Sequence, residues 1–321
     1  MTADPERASR RVERLTDELA DEGFGFTGTD SWRSMVLEEL DYALHPMVHE
    51  RRVPSYGAMV EPTIDEAEWE TSTELNMTRR PISRVTLHHA RRFADGMSSW
   101  VIRHGVEDDE LVVFDRPAGS ERDLVVLAES TGATIVQRHP NGTVRCAGSF
   151  GVLRFDGIRW QQELPVGPWI DTVGSEPLNG DHRTLEHLLE FAVHDLGSRR
   201  IGALLVYLPE GDEGANYEER LPIPPPLQIQ RPADLAPLRH VLSQVDGAAV
   251  FDSTGTLREL GVRLVPSAEA EGEVEGYRGM RHTAARRYSF DDPRATVIVV
   301  SDDGPVTVLR NGEMFGWSTP S

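Results

Sequence analysis

Pro165, Gly167, Pro168, Gly174, Pro177 and Gly180 crowd into residues 161–181, and no helical or strand period survives across that stretch. It reads as a boundary. At 321 residues the chain has enough length for two ordinary cores. The expected organisation is therefore an N-terminal domain over 1–165 and a C-terminal domain over 182–321.

The two sides carry different patterns. Residues 6–22 place Val12, Leu15 and Leu19 on one helical face and stop at Gly23, and a second helical stretch runs from Ser31 to His49. Residues 52–81 are polar and turn-rich, and a helical pattern returns over 83–103. Strand-like runs follow at Leu111–Phe114, Leu124–Leu127, Ala133–Gln137, Thr143–Ala147 and Val152–Trp160, with hairpin signals at Asn141-Gly142 and Asp156-Gly157. This predicts an α+β domain of helices followed by an antiparallel meander.

Beyond the boundary, helix and strand alternate. Asp181 is a candidate N-cap for a helix carrying Leu185, Leu188, Leu189, Ala192, Val193 and Leu196. Ile201–Tyr207 reads as a buried strand, Pro222–Pro226 as a surface loop, Ala233–Gln244 as a helix and Ala248–Asp252 as a strand. Val262–Leu264, a flexible acidic loop over Glu269–Glu275, a strand over Ala295–Val300 and a hairpin turned at Asn311-Gly312 complete the chain. The expected fold class is α/β, a mixed central sheet flanked by helices.

Composition excludes several classes of function. The formal net charge is −20, and all 33 basic residues are Arg. That balance opposes a broad nucleic-acid-binding surface while leaving room for a pocket with a few local arginines. Cys146 is the single cysteine, so an intrachain disulfide and a thiolate metal cluster are excluded and a buried structural thiol is expected. No apolar stretch approaches the ~20 residues that cross a bilayer, and the polar N-terminus lacks a signal-peptide pattern. A cytoplasmic protein without membrane contact is the expectation. His88 and His89 are adjacent and point to different helix faces, so they read as exposed or capping residues rather than metal ligands. Gly151–Gly157 has no phosphate-loop pattern.

Two short strings carry the chemistry. Asp246-Gly247-Ala248 closes a helical stretch and opens an apolar run, and Gly279-Met280-Arg281-His282-Thr283-Ala284-Ala285 follows about thirty residues later. A carboxylate at Asp246 can accept a proton or bind a divalent metal. Gly247 lets backbone lie close to a ligand. The planar fork of Arg281 matches phosphate oxygens, and His282 can donate to phosphate or ligate a metal. An isolated Asp-Gly is usually a turn and an isolated Arg-His pair a solvated surface, so order and framework must carry the assignment.

In this order the strings resemble the DGA and RHR-type motifs of the diadenylate cyclase (DAC, or DisA-N) domain, which joins two ATP molecules into cyclic di-AMP. The resemblance covers roughly residues 182–316. It implies catalytic roles for Asp246, Arg281 and His282 and a metal site at Asp246 and His282 holding Mg2+ or Mn2+. It also implies ATP-binding positions at Gly247, Ala248, Leu264 (against adenine), Gly279, Met280, Thr283 and Ser301. It further implies a homodimer or higher homo-oligomer with facing cyclase domains. The N-terminal half resembles the sensor domains found ahead of less-studied cyclase branches, which implies a regulatory or sensor role for residues 1–165. Two positions depart from the family pattern: Met280 stands where threonine is common, and Thr283 stands where a second arginine is common. These favour the alternative of a degenerate cyclase fold that binds ATP or cyclic di-AMP as a sensor. A metal-dependent hydrolase built on Asp246 and His282 has less support.

Overall fold

The computed structural model describes residues 5–318, apart from 49, 51–52, 65, 74, 83–86, 105–108, 170–181, 210–215, 220 and 278. Asp181 and most of the Pro/Gly-rich boundary lie outside the described residues. The chain divides into two compact units, residues 1–165 and 166–320.

The N-terminal unit is built from α1 (Pro5–Asp21), α2 (Asp30–Leu44), β1 (Tyr56–Val60), α3 (Glu66–Thr73), β2 (Met77–Pro81), a single turn α4 (Leu87–Ala90), β3 (Ser99–Arg103), β4 (Glu110–Phe114), α5 (Glu121–Thr131), β5 (Thr134–Arg138), β6 (Val144–Gly148), β7 (Gly151–Phe155) and β8 (Trp160–Glu163). The eight strands form one sheet in the order β2-β4-β3-β1-β5-β6-β7-β8. The expected meander exists as β5 to β8. The sheet is mixed, because β1 pairs parallel with β3 and antiparallel with β5.

Both faces of that sheet are covered. Leu15, Leu19, Val36, Leu40 and Ala43 pack with Tyr56, Ala58, Val60 and Cys146 on one side. Trp69, Leu124 and Leu127 pack with Met59, Trp100 and Ile135 on the other. Burial pushes the Cys146 thiol pKa up, so it is an inert core side chain, as expected.

Three readings of this half need correction. The turn-rich segment 52–81 contains the central strand β1, buried at every residue, together with α3 and β2. The described part of the helical stretch 83–103 is only α4 and a 3-10 turn, and its end is strand β3. Leu124–Leu127 belongs to helix α5, where Ser120 and Asp123 form a reciprocal capping box and Gly132 ends the helix at φ 66°.

The C-terminal unit contains α6 (His182–Glu190), which continues into a π-helical turn over Phe191–Leu196 and a 3-10 turn over Gly197–Arg199. Then come β9 (Ala203–Leu208), β10 (Tyr217–Glu218), α7 (Pro232–Leu242), β11 (Ala248–Asp252), β12 (Leu257–Leu264), α8 (Ala268–Glu273), α9 (Met280–Asp291), β13 (Thr296–Val300), β14 (Val306–Arg310) and β15 (Glu313–Trp317). The strand order is β10-β12-β11-β9-β13-β14-β15, with β9 and β11 parallel and the remaining pairs antiparallel.

Alternation along the strands splits the core into two layers. Leu205, Tyr207, Ala249, Phe251, Ile298 and Val300 face α6, its π turn and α7. Leu204, Val206, Ala248, Val250, Val297 and Val299 face Ala285 and Tyr288 of α9. This is the predicted mixed sheet flanked by helices. The acidic segment expected as a flexible loop is instead helix α8, capped by Ser267, whose hydroxyl and backbone N–H both donate to Asp291 at 2.6 Å.

Candidate functional site

Helix α9 begins without a side-chain cap. Gly279, at φ 111° and ψ 174°, is its N-cap and offers no acceptor to the first-turn N–H groups. The turn before it is tied down by Thr283 instead. The Thr283 hydroxyl donates to Gly279 O at 2.9 Å and accepts from Tyr277 N–H at 3.0 Å. A helix start without a side-chain cap and with positive dipole character suits an anion.

From that first turn the side chains diverge. His282, Ala285, Tyr288 and Ser289 form the buried face of α9. The His282 ring meets Tyr277 edge-on with centroids 6.3 Å apart. Met280 is 91% exposed. Arg281 reaches sideways, and its Nη1 donates to Asp302 Oδ1 at 3.1 Å.

Asp302 belongs to the turn that follows β13. Ser301 N–H donates to Pro305 O and Gly304 N–H to Ser301 O, each at 2.9 Å, which fixes the turn. Between this turn and the start of α9 lies a cavity of about 570 Å³. Gly279, Met280, Arg281 and His282 line one side, and Val299, Ser301, Asp302, Asp303, Pro305 and Thr307 line the other. The volume is within the range of small-molecule sites.

Register explains how distant sequence segments reach one end of the sheet. Ala203 pairs with Val300, and Leu204 with Ala248. The residues just outside those pairs are therefore neighbours in rank: Ser301 after β13, Gly202 before β9, and Asp246-Gly247 before β11. Adjacent strands lie about 4.8 Å apart, so all three approach one rim. Asp246 is exposed there and does not line the cavity.

Of the other expected ligand positions, Gly247 has φ 109°, and a Cβ on it would sit 2.6 Å from the carbonyl carbon of Gly261. The close approach that this glycine permits is to protein backbone at the β11–β12 bulge. Ala248 is fully buried and Leu264 is 6% exposed, both packed in the core layer with Tyr288. Thr283 supports the loop and does not line the cavity.

Among the described residues no three His, Cys, Asp or Glu side chains gather as a metal cage. A cation at His282 would need its remaining ligands from a bound phosphate chain, the way Mg2+ is commonly held.

Sequence reasoning missed two contributors. Gly202 is one, because a Cβ there would overlap Asp302 Oδ1 and lie 2.5 Å from Arg281 Nη1. A glycine at the mouth of an apolar strand is the available signal for such a close approach. Asp302 is the other, because its pairing with Arg281 appears only in three dimensions.

Comparison with known proteins fits this geometry. Residues 13–163 match the family model described as "Probable sensor domain DACNK". Residues 190–314 match "DisA bacterial checkpoint controller nucleotide-binding", the DAC family. Residues 190–314 are thus similar to the DAC domain family, and residues 13–163 to the DACNK family. Among solved structures, a hypothetical membrane spanning protein from Bacillus cereus is 21% identical with a TM-score of 0.32, over 41% of this chain and 62% of that one. A double mutant of DacA from Staphylococcus aureus is 22% identical with a TM-score of 0.28, over 46% of this chain and 84% of that one. The chain spans less than two thirds of the first of these. No curated protein matches it. Among the described residues, no helix is long and apolar enough to cross a membrane.

Proposed function

We propose that this chain is a diadenylate cyclase that condenses two ATP into cyclic di-AMP and two pyrophosphates. The supporting observation is the convergence of Arg281, His282 and Ser301 on one cavity, with Asp246 on the same rim of the sheet. In this reading the triphosphate lies across the start of α9, held by Arg281, the first-turn N–H groups and the Ser301 hydroxyl. The 3′-oxygen of one ATP attacks the α-phosphorus of the other. A new P–O bond forms, the bond to pyrophosphate breaks, and Asp246 takes the hydroxyl proton. Mg2+ or Mn2+ bound with the phosphates, beside His282 and Asp246, would neutralise their charge. Because the product has two equivalent phosphodiester links, two copies of the chain face each other around a two-fold axis. Positioning would be the main contribution to rate, and orientation can supply roughly 7–11 kcal/mol. The N-terminal unit is assigned the sensory role.

A second reading is binding of ATP or cyclic di-AMP without turnover. It is favoured by Arg281 being the one arginine lining the cavity among the described residues and by its engagement with Asp302. Incubating the purified full chain with ATP and Mn2+ and assaying for cyclic di-AMP decides between them. Product formation supports the first reading. ATP binding without product supports the second, and neither result overturns both.

A further inference from the structure

We propose that Asp302 is a built-in counter-anion: it occupies Arg281 in the empty site and is exchanged for a phosphate group when the nucleotide enters, and so sets the affinity of the pocket for anions. This rests on the reading that the cavity takes ATP.

Four observations carry it. The contact is a single hydrogen bond, Arg281 Nη1 to Asp302 Oδ1 at 3.1 Å, which leaves the rest of the guanidinium fork unengaged by that carboxylate. Asp302 is 80% exposed and Arg281 37%, so the pair is loosely held and exchangeable. An exposed pair of this kind contributes little, and a phosphate with more charge competes with it. The turn 301–305 nevertheless presents the carboxylate at a fixed place, and Gly202 leaves the slot in which the pair sits. Finally, among the described residues Arg281 is the only one lining the cavity with a fixed positive charge, whereas Asp302 and Asp303 bring two negative ones. A bare polyphosphate entering this site meets two carboxylates against one guanidinium among the described lining residues, on a chain whose net charge is already −20. Asp302 thus discriminates against anions that arrive without a cation. It is a specificity-determining residue that acts through Arg281.

The test is calorimetric titration of the full chain with ATP and with adenosine, in EDTA. We expect Asp302→Asn to bind ATP about threefold to tenfold tighter than the parent, the scale of removing one nearby like charge at a partly solvated site. Adenosine affinity should not change. In an Arg281→Ala background the same substitution should gain less than about half as much on a logarithmic scale, because the exchange partner is gone. Asp302→Ser serves as a second variant, and thermal melts confirm folding of each. Unchanged or weaker ATP binding by both variants overturns the proposal and leaves the cyclase reading standing, as does an equal gain for adenosine or an undiminished gain without Arg281. If neither parent nor variants bind ATP, the reading of the cavity and this proposal fall together.

Discussion

Gly247 and Gly261 face each other across the β11–β12 pair so closely that a Cβ on Gly247 would lie 2.6 Å from the Gly261 carbonyl carbon. Both residues have positive φ, 109° and 69°, and together they form the bulge at the start of β11. The glycine of the Asp-Gly-Ala string is thus required by the sheet before any ligand arrives. Gly247→Ala combines a disfavoured backbone region with a backbone clash. We expect a loss of about 2–4 kcal/mol in unfolding free energy, read by denaturant titration. A variant as stable as the parent would return Gly247 to a purely ligand-facing role.

Asp246 differs from its neighbour in being exposed on the rim. Asp246→Asn should leave the melting temperature within about a degree, because surface substitutions usually change stability by less than ~0.5 kcal/mol. Cyclic di-AMP formation should fall at least about a hundredfold, the scale of losing a general base. ATP affinity should persist. Turnover equal to the parent would remove Asp246 from the chemistry.

Much of this site was legible because order along the chain sufficed. Arg281, His282 and Ser301 were picked from two segments, and the antiparallel registry of β9 with β13 brings them to one cavity. Other features were hidden for identifiable reasons. The strand Tyr56–Val60 is covered on both faces, so it shows no polar alternation and sits unmarked in a polar stretch. The run Leu124–Leu127 imitates a strand because four consecutive apolar residues carry no period. Its helical state is decided outside the run, by the caps at Ser120 and Gly132. The pairing of Asp302 with Arg281 spans 21 positions and depends on where two elements end, which no local pattern encodes.

Glu39 in the N-terminal unit is fully buried and bound on three sides. Arg91 donates from Nε at 2.9 Å and from Nη2 at 2.7 Å, and Arg103 and the Tyr56 hydroxyl donate as well. Burial alone would push its carboxyl pKa up, but the two guanidinium groups and the phenol hold it below the ordinary 4.5. A carboxyl depressed in the folded state contributes stability above its unfolded value, and that contribution is lost as pH falls through the folded value. The parent should therefore lose melting temperature progressively below about pH 4.5, and Glu39→Gln should flatten that part of the profile. At neutral pH, Glu39→Ala should cost about 3 kcal/mol, because the largely buried Arg91 loses its carboxylate while Arg103 keeps Asp109 and Glu38. A neutral-pH stability equal to the parent would show that water replaces the carboxylate without loss.

Thr283, expected as an ATP-binding position, stands where a second arginine is common in the family pattern, and its hydroxyl holds a turn. It bridges Tyr277 N–H and Gly279 O, and so closes the turn that leads into α9 and sets the pose of Met280 and Arg281 at the cavity mouth. Thr283→Val keeps the shape and removes both hydrogen bonds. Each is worth about 0.5–1.5 kcal/mol, so a stability loss of about 1–2 kcal/mol is expected, with ATP affinity lowered through the loosened turn. Thr283→Ser restores the hydroxyl and should recover both quantities. Thr283→Arg adds a cation and deletes the bridge, so it should also cost stability, and its ATP affinity should gain less than one added cation would otherwise give. Isothermal titration and thermal melts of the three variants separate these effects. If Thr283→Arg were as stable as the parent and bound ATP tenfold tighter, the hydroxyl bridge would be dispensable and the threonine a simple loss of charge.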